Sequence, residues 1–234
     1  MQTLSRPTLR ALALLSLLMS PTAFAEERDE LSQASENDSV FPRWIALSVR
    51  GGYLMPGGMM EDDAVSPVYL YEVYKGLFAA ILEPTFRIGS HVEVGPWLQV
   101  SYAQMRVQCS RDEVCPGRNR RFGLQANVHW NAQGPYSPWL GLAVGHDRSS
   151  FSLPDVEATY SGLDFTFQAG FDKNLAGPFW AGLFISGTGG QYDTLKVDSG
   201  TESAQGGVRG RAIHLWIGFG FRLRLAAPIP AHQS

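Results

Sequence analysis

The chain has 234 residues, of which 44% are hydrophobic and 18% charged, and its formal net charge is -3. The charged fraction is below the roughly 25% of an average soluble domain. Nucleic-acid binding usually requires a basic patch, so the negative net charge gives no support to a nucleic-acid partner. The length suits one large domain.

The first 25 residues have the three parts of a secretory signal peptide. Two arginines precede the apolar run ALALLSLLM at 11–19, and the small-residue sequence AFA follows at 23–25. The apolar run is far shorter than the ~20 residues that a membrane-spanning helix needs. We therefore predict an exported protein whose signal peptide is cleaved near Ala25.

Beyond residue 41 the sequence alternates between apolar and polar side chains, which is the period-two pattern of β-strands. The stretch HVEVGPWLQVSYAQMRV at 91–107 alternates almost throughout. Eight such segments are predicted, near residues 44–54, 77–88, 91–107, 121–130, 139–146, 161–171, 179–188 and 213–225. Each offers about ten residues, the length of a tilted membrane strand. Pro84 and Pro96 fall inside two segments, where we expect a bulge or local break because proline removes a ladder donor.

The connections between these segments are alternately short and long. Short turns lie at 89–90, 131–138 and 172–178. Longer and more polar connections lie at 55–76, 107–120, 147–160 and 189–210. Short turns at one end and long loops at the other are typical of outer-membrane barrels.

All charged side chains within the strand interiors fall on the polar parity. They are Arg50, Glu83, Arg87, Glu93, Arg121, Asp164, Arg222 and Arg224. A Lys or Arg on the lipid face at mid-membrane would cost ~2–4 kcal/mol, so this distribution predicts an apolar face toward lipid and a polar lumen. Aromatic residues lie near both ends of the apolar parity, where interfacial girdles are expected. They are Tyr53, Phe78, Tyr102 and Phe122 at the loop end, and Phe86, Trp130, Phe171 and Phe179 at the turn end.

The polar parity predicts a network of side chains inside the barrel. Its members are Arg50, Glu83, Arg87, Glu93, Gln99, Arg121, Gln125, His129, Asp164, Gln168, His214 and Arg222. Eight strands enclose a lumen just wide enough for side chains, and buried charges need partners. We therefore expect an interior salt-bridge network, with a narrow ion path as the alternative. Glu93 is predicted to pair with Arg87 or Arg121.

The sequence resembles a known group of proteins in four features: the signal peptide, the eight alternating strands, the long loops at one end and the aromatic-rich last strand. The sequence is similar to the small eight-stranded outer-membrane β-barrels of Gram-negative bacteria, the OmpA-like and OmpX-like families. The resemblance implies an all-β fold, an eight-stranded antiparallel up-and-down transmembrane β-barrel, in the outer membrane with both termini in the periplasm. The implied order is a signal peptide (1–25), a flexible acidic leader (26–41), the barrel (42–225) and a C-terminal tail (226–234). The last strand departs from the families by ending in Leu225 rather than in an aromatic residue.

Cys109 and Cys115 are the two cysteines of the chain, and both lie in the second long loop. In an exported protein such a pair predicts a disulfide. No further cysteine or histidine lies nearby at ligand spacing, so the sequence predicts neither a metal site nor a cofactor.

The sequence favours a non-catalytic integral outer-membrane protein with a structural or surface-interaction role. Its partners would be outer-membrane lipids and, through the long loops, an extracellular ligand; the oligomeric state is left open. One alternative is a lipid-modifying hydrolase or acyltransferase barrel, for which His146, Asp147, Ser149 and Ser150 are the candidate residues. Another is a soluble periplasmic barrel that binds an apolar ligand, which would require the apolar parity to face inward.

Overall fold

The structure is a computed structural model that describes residues 42–61, 67–106, 115–131, 134–153, 156–208 and 212–228. The predicted signal peptide, the acidic leader and Cys109 lie outside the described residues. The strands are β1 (Pro42–Glu61), β2 (Val68–Tyr69), β3 (Tyr74–Ile88), β4 (Val92–Met105), β5 (Gly117–His129), β6 (Tyr136–Leu153), β7 (Val156–Ala176), β8 (Phe179–Asp198), β9 (Ser203–Gly207) and β10 (Ile213–Pro228). One short helix, α1 (Leu70–Val73), precedes β3.

Eight of these strands form a closed antiparallel ring in the order β1-β3-β4-β5-β6-β7-β8-β10, and β10 pairs with β1 to close it. The two short strands add to the ring at its loop end, β2 on β1 and β9 on β8. The predicted eight-stranded up-and-down barrel is therefore confirmed. In the described part of the chain, no helix is long and apolar enough to cross a bilayer.

The wall of the barrel has an apolar outer face and a polar inner face. On β3, Leu82 and Phe86 are exposed on the outside, whereas Glu83 and Arg87 are buried inside. Successive side chains of a strand point to opposite faces, so a closed sheet with this pattern has a polar interior. A soluble barrel with an apolar interior requires the reverse arrangement, and the structure contradicts that alternative.

The exposed apolar side chains form a continuous band around the barrel. On β4 the band extends from Val92 to Tyr102, which corresponds to about 25 Å along the barrel axis for a strand tilted by about 40°. Seven of the eight predicted aromatic residues lie exposed at its edges: Phe78, Tyr102 and Phe122 at the loop end, and Phe86, Trp130, Phe171 and Phe179 at the turn end. The eighth, Tyr53, is half-buried.

The strands extend further toward the loop end than the sequence predicted. The expected loop at 147–160 is mainly a hairpin, because β6 continues to Leu153 and β7 begins at Val156. Likewise, β8 continues to Asp198 and pairs with β9. Beyond the apolar band the outer face is polar, so the alternation that marks a strand disappears from the sequence although the backbone pairing continues.

The two prolines face each other across β3 and β4. Pairing passes from Leu82 opposite Leu98 to Phe86 opposite Val94 without a change of register. Between these pairs the ladder has the local break that the prolines predict. A Cβ atom at Gly95 would lie 2.1 Å from the Pro84 carbonyl oxygen, so this close approach requires glycine.

Candidate functional site: the barrel interior

The interior has three zones along the barrel, each defined by its side chains. The turn-side network consists of Arg50, Glu83, Arg87, Glu93, His129, Asp172, Arg222 and Arg224. The loop-side cluster consists of Gln99, Asn119, Arg121, Asp147, Ser149, Asp164, Thr166, Thr188, Tyr192 and His214. The mouth cluster consists of Leu54, Met60, Leu70, Val73, Tyr74, Leu77, Met105, Tyr160 and Trp216.

Glu93 is the centre of the turn-side network. Arg87 donates to Glu93 Oε1 through Nη2 at 2.5 Å, and Arg224 also donates to this oxygen. The His129 Nε2 atom lies 3.2 Å from the other carboxylate oxygen. Of the two arginines expected beside Glu93, Arg87 is the one in contact. The other, Arg121, lies in the loop-side cluster.

A second carboxylate, Glu83, links two further arginines. Arg50 donates to Glu83, and Arg222 lies 3.6 Å from it while donating to Asp172 at 3.1 Å. The guanidinium of Arg222 also lies over the Trp139 ring, 4.7 Å from its centre. Buried arginines in this zone are thus paired with carboxylates and stacked on aromatic rings.

Amide side chains fill the middle of the barrel. Arg50 donates to Gln168 at 2.7 Å, and Gln168 in turn donates to Gln125 at 3.1 Å and to Asn127 at 2.8 Å. A cavity of about 20 Å³ remains beside them. That volume is about the space of one water molecule.

Arg121 anchors the loop-side cluster. It donates through Nε to Asp164 Oδ2 at 2.7 Å and through Nη2 to Thr166 at 3.0 Å. Its guanidinium lies 5.1 Å from the centre of the Trp97 ring. The Oδ1 atom of Asp164 has no hydrogen-bond partner among the described residues.

Asp147 forms the second part of the loop-side cluster. Its Oδ1 atom accepts from Asn119 Nδ2 at 2.5 Å and from Ser149 at 3.3 Å. Its Oδ2 atom accepts from Tyr192 at 3.3 Å and lies 3.6 Å from His214 Nε2. The His214 ring stacks on Tyr192, with 4.2 Å between the ring centres.

The mouth cluster covers the loop-side cluster with apolar side chains. Leu70 and Val73 of α1 are buried against it, together with Met60 and Trp216. Beyond the apolar band, the Tyr160 hydroxyl donates to Glu61 at 2.6 Å. Burial raises the pKa of Tyr160 above its ordinary value, and the hydrogen bond to Glu61 raises this pKa further.

The twelve predicted lumen residues are all buried inside the barrel. Three charged residues of the same interior were missing from that predicted set: Asp147, Asp172 and Arg224. Asp147 and Asp172 fall in segments that the sequence suggested were loop and turn. Both would have been identified by extending the alternation of inward-facing residues from Gly145 to Asp147 and from Gln168 to Asp172.

The four catalytic candidates of the lipid-modifying alternative do not form one site, although Ser149 donates to Asp147 at 3.3 Å. His146 and Ser150 point to the outer face of β6, whereas Asp147 and Ser149 point into the lumen. Asp147 instead meets His214, which comes from β10. A nucleophile must be within hydrogen-bond reach of its base, and the barrel wall separates His146 from Ser149.

No protein-family model matches the chain, and no curated protein matches it by sequence. Among solved structures, the solid-state NMR structure of outer membrane protein AlkL in DMPC lipid bilayers is similar over 86% of this chain and 97% of that chain, with a TM-score of 0.53 and 11% identity. Neisserial surface protein A is similar over 78% of this chain and 95% of its own, with a TM-score of 0.47 and 10% identity. The N-terminal β-barrel domain of Pseudomonas aeruginosa OprF is similar over 79% of this chain and 98% of its own, with a TM-score of 0.44 and 12% identity. The closed ring and the likeness to AlkL give this chain the fold of the small outer-membrane β-barrels.

Proposed function

We propose that this protein is an integral outer-membrane protein whose filled, non-catalytic barrel holds a set of surface segments for interaction. One observation carries the proposal: a continuous apolar outer face surrounds an interior of paired charges. Water-soluble proteins bury apolar side chains and expose charges, and this barrel does the reverse. A lipid bilayer is the solvent that suits such a surface.

The size of the apolar face supports the membrane part of the proposal. Exposed contiguous apolar patches on soluble monomers rarely exceed about 300–600 Å². Here every strand of the ring contributes exposed large apolar side chains, such as Leu47, Leu98, Leu142, Phe167 and Leu183. The height of the band, about 25 Å, matches the lipid-facing belt of outer-membrane barrels.

The interior supports a closed barrel rather than an open channel. Arg50, Gln168 and their partners cross the lumen at mid-height, and the mouth cluster lies above them. Moving an ion through this zone would require breaking buried ion pairs, at a cost of several kcal/mol. The filled lumen therefore favours a structural role for the barrel itself.

The loop end offers the surface for interaction. The β8–β9 hairpin extends beyond the apolar band, and all residues of β9 are exposed. Together with the end of the β6–β7 hairpin it forms a paired sheet held by the rigid barrel. Surface segments supported by a rigid scaffold are common sites of recognition.

A matched pair of substitutions tests the membrane orientation. Leu142 is 64% exposed near the middle of the band, and Leu175 is 61% exposed at the turn end of β7. We expect Leu142→Arg to lower the free energy of unfolding in lipid vesicles by about 2–4 kcal/mol, and Leu175→Arg by about 0–1 kcal/mol. Equal effects, or a wild-type protein that stays folded and soluble without detergent, would reject the membrane proposal.

Two further measurements address the closed lumen and the exposed loop end. In planar bilayers we expect no steady conductance steps from the wild-type protein, and reproducible steps would reject a closed barrel.

The topology is tested by cysteine labelling. Cys109 and Cys115 are first replaced by serine, and single cysteines are then introduced at chosen positions. A membrane-impermeant maleimide on intact cells should label Glu202→Cys and leave Ala176→Cys unlabelled; the opposite result would reverse the proposed orientation.

A further inference from the structure

We propose that the loop-side cluster contains a binding site for a divalent cation of the Zn²⁺ class, with Asp147, Asp164 and His214 as its protein ligands. This inference is independent of the surface role proposed above. The three residues come from β6, β7 and β10, and each is completely buried. Their potential ligand atoms all lie within 4.8 Å of one another.

The distance between His214 and Asp147 suits a shared ion better than a direct hydrogen bond. His214 Nε2 and Asp147 Oδ2 are 3.6 Å apart, which is too long for a hydrogen bond. Two ligands that bind one tetrahedral Zn²⁺ at about 2.1 Å are separated by about 3.4 Å. The observed separation is close to that value.

Unpartnered polar atoms at this position provide the second, independent observation. Neither ring nitrogen of His214 has a hydrogen-bond partner in the described part of the chain, and neither does Asp164 Oδ1. Leaving a buried polar group unpaired costs about 1–3 kcal/mol. A cation between the two residues would accept a lone pair from one ring nitrogen of His214 and one from Asp164 Oδ1, and so remove that cost for these two atoms.

The remaining carboxylate oxygens are held by fixed donors, as expected of metal ligands with a supporting shell. Asn119 and Ser149 donate to Asp147 Oδ1, and Arg121 donates to Asp164 Oδ2. This arrangement leaves Asp164 Oδ1 without a hydrogen-bond partner among the described residues, whereas Asp147 Oδ2 accepts from Tyr192 at 3.3 Å and lies 3.6 Å from His214 Nε2.

Glycine provides the space for the histidine ring. Gly190 of β8 lies between Asp164 and His214 in the strand pairing. A Cβ atom at Gly190 would lie 2.7 Å from His214 Cε1 and 2.8 Å from Asp164 Cβ. A larger residue would therefore push the ring away from the two carboxylates.

Charge and donor type indicate which cation fits. Among the described residues of the loop-side cluster, two carboxylates face a single arginine. With both carboxylates ionised and His214 neutral, one negative charge has no positive partner in the cluster. A bound cation would supply the missing positive charge. One imidazole nitrogen with two carboxylate oxygens is a donor set for Zn²⁺ or similar transition metals, whereas Ca²⁺ and Mg²⁺ prefer oxygen ligands alone.

The test measures metal retained by the folded protein. The full chain is refolded from urea into detergent micelles with ZnCl₂ present, passed over chelating resin, and analysed for zinc by mass spectrometry. We expect about one Zn²⁺ per chain for the wild type, and at least about tenfold less for Asp164→Asn and His214→Gln. Refolding with Co²⁺ should give the visible absorption of a tetrahedral site with nitrogen and oxygen ligands.

Two controls separate the site from other histidines and from misfolding. His129→Gln removes a buried histidine of the turn-side network, and His146→Gln removes one on the outer face; both should retain wild-type zinc. Heat-dependent gel mobility identifies the folded fraction of each variant, and zinc is expressed per folded chain. Absence of retained zinc in folded wild type, or equal retention by folded His214→Gln, would overturn the proposal.

Discussion

The turn-side network and the loop-side cluster are enclosed by the same eight strands, yet they balance their charges differently. Among the described residues, the turn-side network has four arginines against three carboxylates, and the loop-side cluster has one arginine against two. The described interior as a whole is therefore balanced, while its two zones carry opposite excess charges.

The contacts explain what this difference means. In the turn-side network Glu83 and Glu93 are each shared by more than one basic group, Asp172 accepts from Arg222, and the arginines also stack on aromatic rings. In the loop-side cluster an aspartate oxygen and both nitrogens of a histidine lack partners among the described residues. Atoms without hydrogen-bond partners also occur in the turn-side network, but there they belong to residues that are held in ion pairs. In the loop-side cluster they belong to the group of Asp147, Asp164 and His214, which has a single arginine beside it.

The largest effect is expected when the turn-side network loses a carboxylate. Glu93→Gln increases the positive excess and leaves Arg87 and Arg224 without their shared charge. We expect the free energy of unfolding, from urea titration in micelles, to fall by about 3–5 kcal/mol. Glu202→Gln at the exposed β8–β9 turn is the control and should change stability by less than about 0.5 kcal/mol. A small effect of Glu93→Gln would mean that the network does not brace the barrel.

An intermediate effect is expected from filling the space beside His214. Gly190→Ala places a methyl group against the ring and against the Leu163 carbonyl oxygen, which lies 2.5 Å from the added Cβ position. Overpacking of this kind costs about 1–3 kcal/mol. Gly187→Ala is the matched control on the same strand, because its Cβ would meet nothing within 4 Å. Equal stability of the two variants would show that the interior at Gly190 adapts easily.

A smaller effect is expected at the mouth, from Tyr160→Phe. Loss of the hydrogen bond to Glu61 should cost about 0.5–1.5 kcal/mol near pH 7. Since the folded state raises the pKa of Tyr160, its stabilising contribution is complete below the unfolded-state pKa of about 10 and is lost as the pH rises through the higher folded-state value. Urea titrations at rising alkaline pH should therefore show a steeper loss of stability for wild type than for Tyr160→Phe. Parallel curves would exclude Tyr160 as the titrating group.

The smallest effect is expected when the loop-side cluster loses a carboxylate in the absence of metal. Asp147→Asn removes the excess negative charge, so the cost of the lost ionic hydrogen bonds is offset and stability in chelator should change by less than about 1 kcal/mol. The same substitution should prevent zinc from stabilising the protein. A loss as large as that of Glu93→Gln would remove the contrast between the two zones.

Much of the barrel could be predicted from the sequence because a lipid environment restricts which side chains a strand can carry. A membrane strand must alternate, its charges must avoid the lipid face, and its backbone must pair in a closed ring. These constraints predicted the eight strands and assigned residues as far apart as Arg50 and His214 to one inner surface. Where lipid no longer contacts the wall, as at Asp147 and β9, the alternation weakens and the strand continuations were missed.

The sequence by itself determined which side chains enter the barrel, since parity along a strand is a local property. Only the tertiary structure decided which of them meet, because strand tilt and register bring together residues distant along the chain. Glu93 and Arg224, separated by 131 residues, contact each other in the turn-side network. Asp147, Asp164 and His214 converge around Gly190 for the same reason, from three different strands.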